Sequence, residues 1–128
     1  MVDTLGLIHA LSVHEANVQD RDGAKEVLAQ LDWNRYPRLE TVWADAAYQG
    51  KLEDWTAGEL GLWLGIVPKL QGQRGFVVLA KRWIVERTFA WLGRYRRLSK
   101  DYEADPTSSE SWIRCAMIHL MVRRLAPG

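Results

Sequence analysis

Cysteine is almost missing from this chain of 128 residues, neither sign of charge prevails, and no long apolar run occurs. The lone Cys115 excludes a disulfide within the chain. It has no Cys or His at metal-ligand spacing and lies in an apolar helical run, so it reads as a buried small hydrophobe. No apolar stretch reaches the roughly eighteen residues that cross a bilayer and no secretory leader opens the sequence, which therefore reads as cytoplasmic with no membrane partner. Seventeen Lys and Arg against sixteen Asp and Glu leave a formal net charge of +1. That balance gives no general attraction to polyanions, so any affinity for nucleic acid must be local.

What is present is apolar area: 48% hydrophobic residues and seven tryptophans are enough for a core, which excludes disorder and fits one domain over residues 1–128. Charge is also unevenly placed. Between Lys81 and Lys100 there are seven cations, Lys81, Arg82, Arg87, Arg94, Arg96, Arg97 and Lys100, against the single acid Glu86. A basic run of this kind is the footprint of phosphate binding, although solvated helix faces carry such runs too.

The pattern predicts one helix over Lys81 to Glu103. At about 100° per residue, Arg82, Ala90, Gly93 and Arg97 project within roughly 40° of Glu86, while Trp83, Ile84, Val85, Thr88, Phe89, Trp91, Leu92 and Tyr95 cover most of the rest. Glu86 then looks out of a largely buried helix. Ala90 and Gly93 keep its stripe shallow, and Arg82 and Arg97 hold anionic groups nearby. A carboxylate among arginines suits metal-assisted chemistry on a phosphate backbone; the plainer alternative is an exposed Glu with helical ion-pair partners.

Elsewhere the reading is local. Leu5-Gly6 reads as a tight turn and Leu7 to Val13 as a strand with Leu7, His9, Leu11 and Val13 on one face. His9 and His14 fall on opposite faces, which argues against a shared metal. Asp20 and Asp22 stand where an N-cap belongs, before a helical pattern of Ala24, Val27, Leu28 and Leu31. After Pro37, Glu40 to Ala44 reads as a short buried strand that delivers Asp45 at its C-terminal end, where α/β sheets place their chemistry; a turn or cap role for Asp45 is the alternative. A short helix over Leu52 to Leu60 follows, then a strand through Leu62, Leu64 and Ile66 toward Pro68. Gly72 and Gly75 mark a loop with Lys69 and Arg74 available for phosphates, and no large inserted domain fits between Asp45 and Glu86. Asp105-Pro106 closes the basic segment. Thr107 and Glu110 form a capping-box signature for a last helix, whose apolar face is Ile113, Ala116, Met117, Leu120 and Met121, widened by Cys115, Ile118, Val122 and Leu125. Arg123 and Arg124 complement its dipole.

The wording of these segments goes further than their periodicity. RWIVERTFAWLGRYRRLSKDYE closely resembles the C-terminal catalytic helix of bacterial insertion-sequence transposases of the DDE class, especially the insertion-sequence-five type. The resemblance extends through SSESWIRCAMIHLMVRRLA, VWADAAYQG and VDTLGLIHALSVHEANVQDRDGA, covering nearly the whole chain. It implies an α/β, ribonuclease H-like fold, with the first strand and part of the second apparently lacking. It also implies that Asp45, in the family's WADxxYxG motif, and Glu86 are two of three metal-binding acids. Two Mg²⁺ (or Mn²⁺) ions would sit about 4 Å apart, one activating water or a 3′-hydroxyl and the other stabilising the leaving oxygen. The first acid of the triad is expected upstream of the region that corresponds to Met1; Asp3 aligns with the hairpin and is not assigned catalysis. Where related transposases carry Tyr three residues before the Arg and Lys seven after the Glu, this chain has Leu79 and Gly93, with Arg82 and Glu86 matching.

The function so implied is DNA strand cleavage and transfer at terminal inverted repeats. DNA contacts are expected from Lys69, Arg74, Lys81, Arg82, Arg94 and Arg97. The chain is expected to be truncated and inactive alone, and to work as a homo-oligomer or with an upstream-frame partner chain. A non-catalytic DNA-binding or transposition-modulating fragment is the alternative, and a nuclease of the same fold is a third reading.

Overall fold

Four α-helices and a small sheet alternate in an α/β order: α1 (Asp20–Ala29), β1 (Thr41–Asp45), α2 (Lys51–Leu60), β2 (Trp63–Val67), α3 (Ala80–Leu92) and α4 (Pro106–Leu125). Short 3-10 turns occupy Trp33–Arg35, Ala46–Tyr48 and Arg96–Leu98. The computed structural model describes residues 1–68, 72 and 80–126. They form two compact units, Val18–Trp83 and the pair of segments Met1–Asn17 and Ile84–Gly128.

In the unit Val18–Trp83, β1 and β2 run parallel in the register Thr41↔Trp63 through Asp45↔Val67. Parallel strands need a crossover, which α2 supplies. Its start is held reciprocally: the Gly50 N–H donates to the Glu53 carboxylate (2.6 Å) and the Glu53 N–H donates to the Gly50 carbonyl (2.9 Å). Gly61, with φ of 62°, ends it in the left-handed conformation that residue allows. Among the described residues, the buried side chains of this unit are Leu28, Leu31, Leu52, Thr56, Leu62 and Leu64. Both strands and α2 thus form where alternation and caps predict them. The N-cap of α1 is Gln19, with no side-chain bond, whereas Asp20 and Asp22 lie within the first turn. Their benefit is therefore electrostatic, against the helix dipole, and the predicted capping role is corrected.

The second unit departs further from expectation. Its N-terminal segment makes a turn closed by Gly6 N–H to the Asp3 carbonyl (3.0 Å) and one antiparallel bridge, Val2↔Ile8. The predicted strand Leu7 to Val13 does not form. Alternation alone cannot make a strand without a ladder partner, and the Val13 N–H instead donates to the Glu110 carboxylate (2.9 Å). Gly6 sits against α3: the Thr88 hydroxyl donates to its carbonyl over a buried 2.8 Å bond.

The single helix predicted over 81–103 also stops early. α3 ends at Leu92, and Gly93, Arg94 and Tyr95 donate back to Phe89, Trp91 and Leu92 as the chain turns out. Glycine is a poor helix former and a good terminator, and here it ends the helix that periodicity would continue. Arg97 consequently lies in a 3-10 turn, off the helical stripe of Glu86. The expectation of a largely buried α3 is overturned as well: among its described side chains only Thr88 and Leu92 are buried, and Phe89 is 68% exposed.

α4 begins two residues earlier than the Thr107/Glu110 pattern predicts. Asp105 is its N-cap, accepting from the N–H groups of Thr107 (3.3 Å) and Ser108 (3.2 Å), and Pro106 stands in the first turn. Aspartate before proline is the stronger signal, because proline at the first helical position brings a preset φ and no surplus N–H. Glu110 is thereby released to accept from Val13. Ala116 and Met117 are buried, with Ile113, Leu120 and Met121 partly covered, as the apolar face predicts. Cys115 is exposed, not buried, and so are Ile118, Val122 and Leu125. Their stripe has the composition of a core but faces away from the side of α4 that packs.

Candidate functional site

Asp45 is the last residue of β1, at the carboxyl end of the parallel pair, and is exposed. Its Oδ1 accepts the Ala47 N–H at 2.9 Å, capping the turn Ala46–Tyr48. Its other oxygen has no hydrogen-bond partner among the described residues and is available to a ligand. The small residues Ala46 and Ala47 leave room beside it. The turn is fastened from α1, where Arg21 Nε donates to the Ala47 carbonyl at 3.0 Å. Burial pushes the Tyr48 phenol above its ordinary range, and the negative charges of Asp20 and Asp45 add to the effect. Tyr48 therefore stays protonated, a donor beside an acid.

Trp43 lies across Gly65 on the neighbouring strand, where a Cβ would meet its ring at 2.6 Å. Lys81, from the first turn of α3, stacks its ammonium on that ring, 2.9 Å from the centroid. One predicted DNA contact is thus held against β1 by a cation–π interaction. Arg82 and Glu86 are both exposed, one helical turn apart on α3.

The remaining basic residues divide by their partners. Arg97 Nε donates to Glu103 at 2.7 Å, and its guanidinium lies 5.4 Å from the Trp112 ring. Arg94, Arg96, Lys100 and Arg123 have no carboxylate partner among the described residues. Arg124 stacks on Trp91 at 4.5 Å, as Arg87 does at 4.9 Å. Helical projection puts Arg97 on the stripe of Glu86; once the helix ends at Leu92, that geometry no longer holds. Lys69 and Arg74 lie outside the described residues.

Both Asp45 and Glu86 are carboxylates, and carboxylate oxygens are hard donors. No group of three or more His, Cys, Asp or Glu gathers at metal-binding distance among the described residues. The donor chemistry fits a hard divalent ion that keeps water and substrate oxygens in its shell, rather than a closed nitrogen and sulfur site. Asp3 is not offered to such an ion. Its Oδ1 accepts the N–H groups of Leu5 (2.8 Å) and Leu7 (2.9 Å), and its Oδ2 pairs with His9 Nε2 at 3.0 Å. Among the described residues His14 meets the Glu15 carbonyl (3.0 Å) and His9 meets Asp3, so the two histidines have separate structural partners.

No helix among the described residues is long and apolar enough to cross a membrane. No curated protein and no solved structure matches the chain. Residues 1–121 match a family described as a transposase DDE domain. That match takes in both acids, the strand that ends in Asp45 and the helix that carries Glu86, and the chain belongs to the transposase DDE-domain family.

Proposed function

We propose that this chain is a transposase catalytic segment of the insertion-sequence-five type, acting on DNA at the terminal inverted repeats of its own element, with Asp45 and Glu86 as two of three metal-binding acids. The observation that carries the reading is the placement of Asp45: an exposed carboxylate at the carboxyl end of a parallel strand, oriented by its own turn, in a family that generally uses divalent metal ions and has a ribonuclease H-like fold. Two Mg²⁺ or Mn²⁺ ions, when bound, would polarise the phosphoryl oxygens and activate the attacking oxygen. The chain's own groups hold and orient. Asp45 presents its second oxygen, Tyr48 keeps a proton beside it, and Lys69, Arg74, Lys81, Arg82, Arg94 and Arg97 contact phosphates, joined by Arg96. Because Asp3 is committed to its turn, the third acid is another group. We assign it to a segment beyond these 128 residues or to a partner chain, so that residues 1–128 form part of one catalytic domain, inactive alone.

A second reading, a DNA-binding fragment that does no chemistry, is favoured by the cations that lack carboxylate partners and by the absence of a three-acid group among the described residues. The two are separated by supplying inverted-repeat DNA together with the missing catalytic portion. Mg²⁺-dependent cleavage that disappears in Asp45→Asn and in Glu86→Gln is the expected result. Salt-sensitive binding without cleavage, unchanged in Asp45→Asn, would replace the first reading with the second.

A further inference from the structure

The carboxylate of Asp45 takes its direction from one backbone group, the Ala47 N–H at 2.9 Å. The same residue's carbonyl is held by Arg21 Nε at 3.0 Å. Ala47 is thus tied on one side to the acid and on the other to the first turn of α1. Arg21 stands where local rules disfavour it, because a cation in the first turn of a helix opposes the positive end of the dipole, and its neighbours Asp20 and Asp22 obey the rule it breaks. A residue that breaks a local preference calls for a compensating contact. Among the described residues the Arg21 guanidinium has no carboxylate partner, and the Ala47 carbonyl is the contact it makes.

We infer that Arg21 is a positioning residue for Asp45, acting through the Ala46–Tyr48 turn; the inference rests on Asp45 being a metal-binding acid. Arg21 does not touch the metal. Its guanidinium fixes the peptide that aims the Asp45 carboxylate, as outer groups orient inner ligands at metal centres. The planar guanidinium suits the task better than an ammonium, since Nε donates along one fixed direction.

The test uses the whole chain labelled with nitrogen isotope at alanine, combined with the unlabelled missing catalytic portion and inverted-repeat DNA, following the Ala47 amide by NMR as MgCl₂ is added. In the unaltered protein this amide shifts with Mg²⁺, and in Asp45→Asn the shift is lost. Arg21→Ala is expected to raise the Mg²⁺ concentration at half-shift by about ten-fold. Arg21→Gln, which keeps an N–H donor without the charge, is expected to restore much of the response. Arg21 is exposed, and the dispersion of the other alanine amides reports that each variant is folded. An Arg21→Ala response equal to the unaltered protein's overturns the inference while leaving Asp45 its role. So does equal impairment of Arg21→Ala and Arg21→Gln, which would mark a long-range charge effect. An Ala47 amide that ignores Mg²⁺, or follows it equally in Asp45→Asn, removes the metal role of Asp45 and the inference with it.

Discussion

Gly6 shows how much one residue can decide. Its φ of +80° lies where side chains are strained, and a Cβ there would meet Thr88 Oγ1 at 2.8 Å and the Trp91 ring at 2.9 Å. Both penalties fall on a single methyl group, so Gly6→Ala should cost about 2 kcal/mol or more, read from the urea midpoint of unfolding. The same turn carries a pH-sensitive group. Burial alone would raise the Asp3 carboxyl, but bonds from His9, Leu7 and Leu5 outweigh it and hold the group below its ordinary 3.8. A carboxyl depressed in the folded state adds stability that is complete above its unfolded value and is lost as pH falls through the folded one. The turn should therefore keep its full strength above about pH 4 and weaken progressively as pH falls further, with faster exchange of the Leu5 and Leu7 amides; Asp3→Asn should abolish this acid dependence. None of this was legible from Asp3 in the sequence, where an early acid near a strand invites a catalytic reading. Its partners, a histidine and two N–H groups, are brought to it by the turn.

Among the elements, what could be read in advance was whatever depends on nearby residues. The strand that ends in Asp45, helix α2 between its glycines, and β2 with its alternating Leu64 and Ile66 are specified by local chemistry and appear close to where the sequence predicts them. Features that depend on a partner were not legible. Leu7 to Val13 alternates like a strand but has no ladder to join, and the outer faces of α3 and α4 are apolar yet uncovered. Competing signals also misled. Thr107 and Glu110 form a plausible capping box, but Asp105 before Pro106 takes the helix start. Asp105→Ala should accordingly cost about 1 kcal/mol and fray the first turn of α4, whereas Thr107→Ala should cost little; thermal melting and amide exchange at Ser108 distinguish them.

For the whole molecule, a net charge of +1 means that DNA affinity must come from the local basic set, and its salt dependence counts the phosphates engaged. Arg94→Ala or Arg96→Ala should each lower the slope of log affinity against log salt by about one without affecting folding. Arg97→Ala should additionally lower the melting temperature, because it also removes the bond to Glu103 and the stacking on Trp112. A binding isotherm and a melting curve for each variant check this division. Of the candidate site, the position of Asp45 was legible because a strand end is a local feature, and the placement of Arg97 was not, because it turned on where Gly93 would end a helix.

Cys115 is the sole thiol of the chain and lies on the outer side of α4, among Ile118, Val122 and Leu125. A maleimide dye or spin label would therefore attach at one defined point without prior mutagenesis. That point is on the uncovered stripe itself, so the emission of an environment-sensitive probe would report directly whether the stripe stays wet when DNA or another protein chain is added.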